Sequence, residues 1–331
     1  MTDVRRRSFL RIGSCFAILQ GARCFNSAYA PDPPGPGFPI IDTHIHLFDP
    51  RRLGGVPWPD QSDTVLYRPA LPPRYKSLAM PFGVVGAIAV ECSPWVKDND
   101  WLLNVAAKNT IIVGVIGDLD PAAPTFPRQL EHLRANSLFR GIRYGNLWGR
   151  SLGGQLNNAE FITNLKRVSA AGLLLESANP NPVLIAGILN LTDRVPDLRI
   201  VIDHLPQAVP PAEPAARRAY EQDLRALGQR SNVFVKGSEV LRLVDGKVPT
   251  DLDFYKPWLD EIWEIFGEDR LLYGSDWPNS DHVAPYAATF DVISQYVNGR
   301  GPHALEKFFW KNSIGVYRWH RRTAAQARLA A

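Results

Sequence analysis

The fold of this chain is decided by the stretch FPIIDTHIH at residues 38–46. The stretch begins as an apolar, β-branched run and ends in two histidines, His44 and His46. Because side chains alternate between the two faces of a strand, these imidazoles project to the same side at a strand's carboxyl end. Parallel α/β folds carry their chemistry at that end. The stretch therefore predicts a first strand and a site in which paired histidines activate water or hold a metal.

Seven more short apolar runs follow, separated by amphipathic segments. Continuous apolar runs are typical of strands buried on both faces, the parallel arrangement with helical crossovers. Residues 157–171 and 257–266 show helical periodicity and end at or before a glycine. The eight predicted strands are residues 39–46, 83–91, 111–117, 139–144, 172–176, 198–204, 232–237 and 270–275.

Eight such units predict a single-domain α/β fold, a (β/α)8 TIM barrel over residues 38–320, with residues 321–331 as an exposed tail. The alternative is an open doubly wound sheet, which is disfavoured because no glycine-rich fingerprint follows the first strand. The proline-rich stretch 48–81, which contains Trp58, predicts a long loop that forms a lid or wall over the site.

The N-terminal residues predict export. Arg6 and Arg7 within RRRSFLR resemble a twin-arginine (Tat) signal, and an Ala-Tyr-Ala site at residues 28–30 follows a weakly apolar stretch. Residues 1–30 are therefore interpreted as a signal peptide and 31–37 as a Pro/Gly spacer. The stretch is too short for a permanent membrane anchor. We expect the Tat machinery as a partner and a periplasmic or secreted location; the alternative is a basic tail on a cytoplasmic enzyme.

Charge and cysteine content limit the remaining possibilities. The chain has 37 Lys and Arg against 33 Asp and Glu, but residues 1–30 hold five of the former and one of the latter, so the rest is neutral. A neutral chain offers no basic face for nucleic acid. Cys92 is the one cysteine after residue 30, so that part cannot form an internal disulfide, and we interpret Cys92 as a buried apolar residue.

Six pieces of sequence together resemble the amidohydrolase-related TIM-barrel family, and within it the sugar-lactone and 2-pyrone-4,6-dicarboxylate lactonases. The resemblance spans residues 38 to about 319 and rests on IDTHIH with FDP (41–50), RGIRY (140–144), IDHL (202–205), VKGS (235–238), GSDWP (274–278) and WKNS with Tyr317. It implies a hydrolase that opens a cyclic ester, with the aspartate after strand eight, Asp276, as general base.

The residue chemistry is consistent with that implication. Asp276 can take a proton from water while His44, His46 and His204 polarise the carbonyl that the water attacks. Each of these residues also has a structural alternative: Asp276 could cap a helix, His44 and His46 could be core histidines, and Asp203 and His204 could form a structural pair.

Further residues are candidates for contact with the substrate. Arg143 could hold a carboxylate or oxyanion with its planar fork, or instead form an ion pair with Glu91 or Glu176. The other predicted substrate contacts are Tyr144, Glu91, Lys236 and His282.

The candidate ligands do not suit a two-metal site. The wider superfamily supplies a bridging lysine or glutamate from strand four and a histidine from strand five, where this chain has Arg143 and Glu176. If one metal binds, a mononuclear zinc on His44, His46 and Asp276 has a plausible ligand set. The resembled lactonases imply that no metal is required, and we expect none.

Two other functions stay open. One is a zinc-dependent decarboxylase of an aromatic acid in the same family, and the other is a non-catalytic periplasmic barrel that binds a sugar acid. The substrate is expected to be a small molecule in each case.

Overall fold

Eight parallel strands form the centre of the protein and hydrogen-bond in sequence order from β1 to β8. The computed structural model describes residues 38–206 and 210–329. The predicted signal peptide, the spacer and the end of the tail lie outside these residues. The strands are β1 Ile40–His46, β2 Val84–Val90, β3 Ile112–Asp118, β4 Phe139–Arg143, β5 Leu174–Ser177, β6 Arg199–Ile202, β7 Val233–Gly237 and β8 Leu271–Tyr273.

The segment after β8 closes the barrel against β1. The backbone N–H of Asp276 donates to the carbonyl of His44 at 2.9 Å, and the N–H of His46 donates to the carbonyl of Trp277 at 2.7 Å. All eight predicted strands are present to within a few residues of their predicted bounds, and the predicted TIM barrel is confirmed.

Helices connect the strands and cover the outside of the barrel. They are α1 Pro72–Ala79, α2 Asp98–Ala107, α3 Phe126–Arg134, α4 Leu152–Gln155, α5 Ala159–Ala170, α6 Pro182–Arg194, α7 Pro214–Gly228, α8 Leu252–Phe266, α9 Tyr286–Asn298, α10 Pro302–Glu306, α11 Asn312–Tyr317 and α12 Ala324–Ala327, with a π-helical turn at Lys307–Lys311. No helix in the described ranges is long and apolar enough to cross a membrane.

One helix begins earlier than its pattern predicts. The prediction placed its start at Pro257, but α8 begins at Leu252, where the Asp251 side chain accepts a hydrogen bond from the N–H of Asp253 and caps it. A proline inside a helix removes one backbone hydrogen bond, yet here the buried apolar face of α8 keeps the helix continuous. The start of α8 is therefore set by the Asp251 cap and not by Pro257.

The predicted exposed tail is wrong in part: five of residues 321–329 are exposed, but the segment also packs against the chain around the amino ends of β2 and β3. Arg322 donates to the carbonyls of Ala106, Asn109 and Ile112 at 2.7–3.0 Å, and the buried Gln326 side chain donates to two further carbonyls. Leu329 is also buried, in the apolar cluster that fills the barrel. The segment seals the lower end of the barrel.

Candidate functional site

His44, His46 and Asp276 meet at the carboxyl end of the barrel, as predicted. The Nε2 atoms of the two histidines are 3.2 Å apart. Asp276 Oδ1 lies 3.4 Å from Nε2 of His44 and 3.3 Å from Nε2 of His46. All three side chains are buried. The strand period thus brought together two residues of β1, and barrel closure brought the third.

Local backbone features make this meeting possible. The pairing of β1 with β2 is irregular between Asp42 and Ile45, next to the histidines. Such irregularities are common beside active sites, where they redirect a side chain. At Gly274 a Cβ atom would lie 2.8 Å from the Cβ of His44, so only glycine lets the end of β8 come this close.

A buried polar network lies beneath His44, inside the barrel. Lys236 Nζ is 2.9 Å from His44 Nδ1, 2.8 Å from Glu176 Oε1 and 3.0 Å from Asp203 Oδ1. The Tyr317 hydroxyl donates to Glu176 at 2.6 Å. Burial raises the pKa of Glu176 to about 7, against the opposing effect of the Lys236 ammonium. Burial also favours a raised pKa at Asp203, but the charges of Lys236 and His44 hold it well below its usual range.

Asp276 is held in its ionised form. Burial opposes the charge, but the contact of Oδ1 with His46 Nε2 at 3.3 Å and the nearby His204 and His44 outweigh it, so the pKa of Asp276 lies well below its usual range. Asn279 donates to Oδ2 at 2.8 Å, whereas the buried Oδ1 has no hydrogen-bond partner. A buried, unpaired carboxylate oxygen is costly unless it has a ligand to bind.

These groups open into a cavity of about 260 Å³. Its polar lining includes His46, Arg143, His204 and Asp276, and its wall includes Trp58. The Trp58 ring lies edge-on to His46, with 5.8 Å between ring centroids. The prediction that the loop after β1 forms a pocket wall is therefore confirmed for Trp58. The full lining is His46, Trp58, Cys92, Arg143, Leu147, Trp148, Ala178, Asn179, His204, Glu239, Asp276 and Asn279.

Backbone strain is concentrated around this cavity. Among the described residues other than glycine, seven have positive φ, and five of these line the cavity: Trp148, Asn179, His204, Glu239 and Asp276, with φ from 51° to 67°. Left-handed backbone costs about 1–2 kcal/mol per residue for most side chains. Strain of this kind is found where a fold positions functional groups.

His204 reaches the cavity, but it does not pair with Asp203. Its Nδ1 lies 3.0 Å from the Ser238 hydroxyl, and its Nε2 lies 3.5 Å from Glu239 Oε1. The pairing considered for Asp203 and His204 is therefore wrong, because Asp203 points instead towards Lys236. Glu239 and Asn279 also line the cavity beside Asp276; they directly follow the VKGS and GSDWP motifs and were not among the residues predicted from the sequence.

Arg143 lines the cavity with its guanidinium already engaged. Its Nε donates to Glu91 Oε1 at 2.7 Å, and one terminal nitrogen donates to the Glu91 carbonyl at 2.6 Å. Another terminal nitrogen lies 3.6 Å from Asp203. The ion pair with Glu91 considered from the sequence is thus present, and Glu91 is not among the residues that line this cavity.

Besides Glu91, three predicted substrate contacts lie outside this cavity lining. Tyr144 alternates with Arg143 along β4 and points outward, where it packs against Phe161 of α5. Lys236 is fully buried below the cavity floor. His282 pairs with Asp63 at 2.9 Å on the loop after β1. Cys92 does line the cavity, but burial raises the pKa of its thiol well above the usual range, which does not suit a nucleophile.

The atoms of His44, His46 and Asp276 are spaced for a divalent metal. Their mutual distances of 3.2–3.4 Å match the separation of about 3.3 Å between ligand atoms of a tetrahedral zinc. The unpaired Oδ1 of Asp276 also fits a ligand atom. The contact at His44 Nδ1 is different, because a metal-bound imidazole normally donates its other N–H to an acceptor, and here the nearest atom is the Lys236 nitrogen.

The chain belongs to the amidohydrolase family, whose model matches residues 41–319. The predicted family resemblance is thereby confirmed, and the protein is a hydrolase of this family.

The similar proteins include lactonases. The chain is 29% identical to an L-fucono-1,5-lactonase of Burkholderia ambifaria, over 86% of this chain and 98% of the relative. It is 25% identical to an L-fucono-1,5-lactonase of Burkholderia multivorans, over 82% and 92%. A solved amidohydrolase structure from B. multivorans with bound zinc has a TM-score of 0.75 at 22% identity, covering 86% of this chain and all of that one. This last likeness shows the fold.

Proposed function

We propose that the protein hydrolyses a lactone of a sugar acid or a related small molecule, with Asp276 as general base. The observation that carries the proposal is the ionised Asp276, whose Oδ1 is unpaired between two imidazoles at the cavity. A carboxylate held below its usual pKa stays deprotonated at neutral pH and is available to take a proton from water. The lactonase relatives support the choice of a cyclic ester as substrate.

Each step of the proposed hydrolysis can be assigned to residues of this chain. Asp276 Oδ1 takes a proton as the water oxygen bonds to the lactone carbonyl carbon. The oxyanion that forms is stabilised, in this proposal, by N–H donors of the His44 and His204 imidazoles. The ring C–O bond then breaks, and the proton on Asp276 passes to the leaving alkoxide, which gives the open hydroxy acid.

A divalent metal could activate the water and polarise the carbonyl in place of Asp276 and the imidazoles. Bound by His44, His46 and Asp276, it would lower the pKa of a bound water and polarise the carbonyl. We propose that turnover does not require it, because Asp276 is already ionised and the outer contact of His44 does not suit a metal ligand.

No observation favours the alternative decarboxylase. Arg143 would have to leave Glu91 to bind an aromatic carboxylate, and breaking a buried charge pair is costly. A non-catalytic sugar-acid binder would not need the ionised, unpaired Asp276.

The test is a screen of purified protein against aldonolactones, pyrone carboxylates and aromatic acids at neutral pH. Lactone opening is followed by acid release, and decarboxylation by carbon dioxide release. We expect turnover of a lactone alone. Carbon dioxide release from an aromatic acid, or binding without turnover of any compound, would contradict the proposal.

We also propose export by the Tat pathway, on the sequence alone. Replacing Arg6 and Arg7 together by Lys should leave a full-length, active protein in the cytoplasm, because the barrel begins near Phe38. Cell fractionation of the wild type should find it in the periplasm, about thirty residues shorter. Unprocessed wild type confined to the cytoplasm would contradict the export proposal.

A further inference from the structure

The two histidines of β1 differ in what the ring nitrogen remote from Asp276 touches. His46 Nδ1 lies 3.0 Å from the backbone carbonyl of Val90. A carbonyl only accepts hydrogen bonds, so Nδ1 of His46 carries a hydrogen, and in the neutral ring Nε2 has a free lone pair. This is the form in which an imidazole binds a metal through Nε2.

His44 has the opposite environment. Its Nδ1 faces Lys236 Nζ at 2.9 Å, and the oxygen of Asp203 is farther away, at 3.5 Å. A lysine ammonium has three donors and no acceptor. Lys236 is fully buried, and carboxyl oxygens of Glu176 and Asp203 lie within 3.0 Å of its nitrogen, where they accept the hydrogens of the ammonium. An ammonium that donates to Nδ1 requires the hydrogen of the neutral ring to be on Nε2.

We propose that Lys236 is a positioning residue that fixes His44 as the Nε2–H tautomer, which makes His44 a hydrogen-bond donor on its side facing His46 and Asp276 and weakens metal binding. In this tautomer, His44 Nε2–H can donate to the free lone pair of His46 Nε2 at 3.2 Å, so the two rings are mutually consistent. A metal would find two ready ligands, His46 and Asp276, with a proton at the third position. The buried ammonium behind His44 also repels a cation.

The tautomer of His44 and the binding of zinc can both be measured without substrate. The test of this proposal is therefore separate from that of the proposed lactonase activity, and either can fail alone.

The first measurement uses the wild-type protein. Long-range proton–nitrogen NMR of histidine-labelled protein near neutral pH distinguishes the two tautomers, and spectra of His44→Gln and His46→Gln assign the signals. We expect Nε2–H for His44 and Nδ1–H for His46. Nδ1–H at His44 in the wild type would overturn the proposal, whatever the variants do.

The second measurement is zinc binding to metal-free protein by calorimetry. Lys236→Gln removes the ammonium and frees Nδ1 of His44 to donate towards Asp203, so we expect zinc to bind at least about tenfold more tightly than to wild type, the usual effect of outer contacts on metal sites. Lys307→Gln, which removes a lysine at the surface, is the matched control and should bind zinc as the wild type does. Equal affinity of Lys236→Gln and wild type would contradict the proposal.

A double variant locates the zinc that Lys236→Gln gains. Loss of Lys236 also uncovers His44, Glu176 and Asp203, which lie close enough to bind a metal themselves. If zinc binds at Nε2 of His44, adding Asp276→Asn should abolish the gained affinity. If the gain survives, the metal occupies the place of the lysine, and the proposed role of the tautomer is wrong. Should Lys236→Gln fail to fold, the wild-type NMR measurement decides.

Discussion

The two ends of this barrel treat their polar groups in opposite ways. At the lower end, Arg322 and Gln326 donate hydrogen bonds to backbone carbonyls around the starts of β2 and β3, so these carbonyls are paired. At the upper end, Asp276 Oδ1 is buried without a hydrogen bond, and the backbone of five cavity residues has positive φ. The lower end is built for stability, and the upper end gives up stability to keep groups available for chemistry.

The largest effect on turnover should come from replacing Asp276, the cavity residue whose Oδ1 lacks a hydrogen bond. Asp276→Asn keeps the shape and removes the base, so kcat for lactone opening should fall by at least about a hundredfold. Because folding lowers the pKa of Asp276, its charge adds stability at neutral pH, so the Tm should fall, and a circular dichroism spectrum like that of wild type excludes misfolding as the cause. Turnover close to that of wild type would show that another group is the base.

A second test concerns how the buried carboxyl of Asp42 affects the free energy of unfolding at different pH values. This carboxyl accepts hydrogen bonds from the Tyr75 hydroxyl at 2.7 Å and the Ser275 N–H at 2.9 Å, yet burial raises its pKa to about 6. Since folding raises this pKa, the stabilising contribution is present below the unfolded value near 4 and is lost as pH rises through about 6. Between about pH 4 and pH 7, Asp42→Asn should gain roughly 2–3 kcal/mol of unfolding free energy relative to wild type.

Denaturant unfolding at several pH values checks the Asp42 prediction. Asp197→Asn, an exposed aspartate, is the control and should show no such trend. A difference between Asp42→Asn and wild type that stays constant with pH would mean that Asp42 is ionised at no cost.

At the lower end, we expect a change in stability with no change in activity. Arg322→Ala removes hydrogen bonds to four backbone carbonyls and should lower the free energy of unfolding by about 2 kcal/mol. The exposed Arg328→Ala should leave it unchanged. A kcat of Arg322→Ala more than about twofold below wild type would break the division between the two ends.

The smallest effect should follow metal removal. Prolonged treatment with a chelator should leave kcat within about twofold of the untreated value, because Asp276 can act as base without a metal. Loss of turnover that zinc restores would make His44, His46 and Asp276 functional ligands.

Some misplaced residues could have been placed by closer reading of the strand period. Tyr144 directly follows Arg143, the last residue of β4, so continued alternation of side chains sends it outward. Lys236 lies on the inner face of the barrel, as expected. The alternation of side chains along a strand predicts whether a residue points inward, but not how far below the cavity it lies, and Lys236 lies below it. His282 could not have been placed, since its position depends on how the loop after β1 folds over the barrel.

The sequence by itself determined the eight strands, their parallel order and the meeting of His44 and His46 with Asp276. These follow from local rules, namely the strand period, the alternation with helices and the shared edge of carboxyl ends. Only the tertiary structure decided that Arg143 is occupied by Glu91, that Lys236 contacts His44, that Glu239 and Asn279 join the site, and that residues 321–329 seal the barrel. Such contacts join residues distant in sequence, and their partners depend on barrel closure and side-chain depth, which no local pattern encodes.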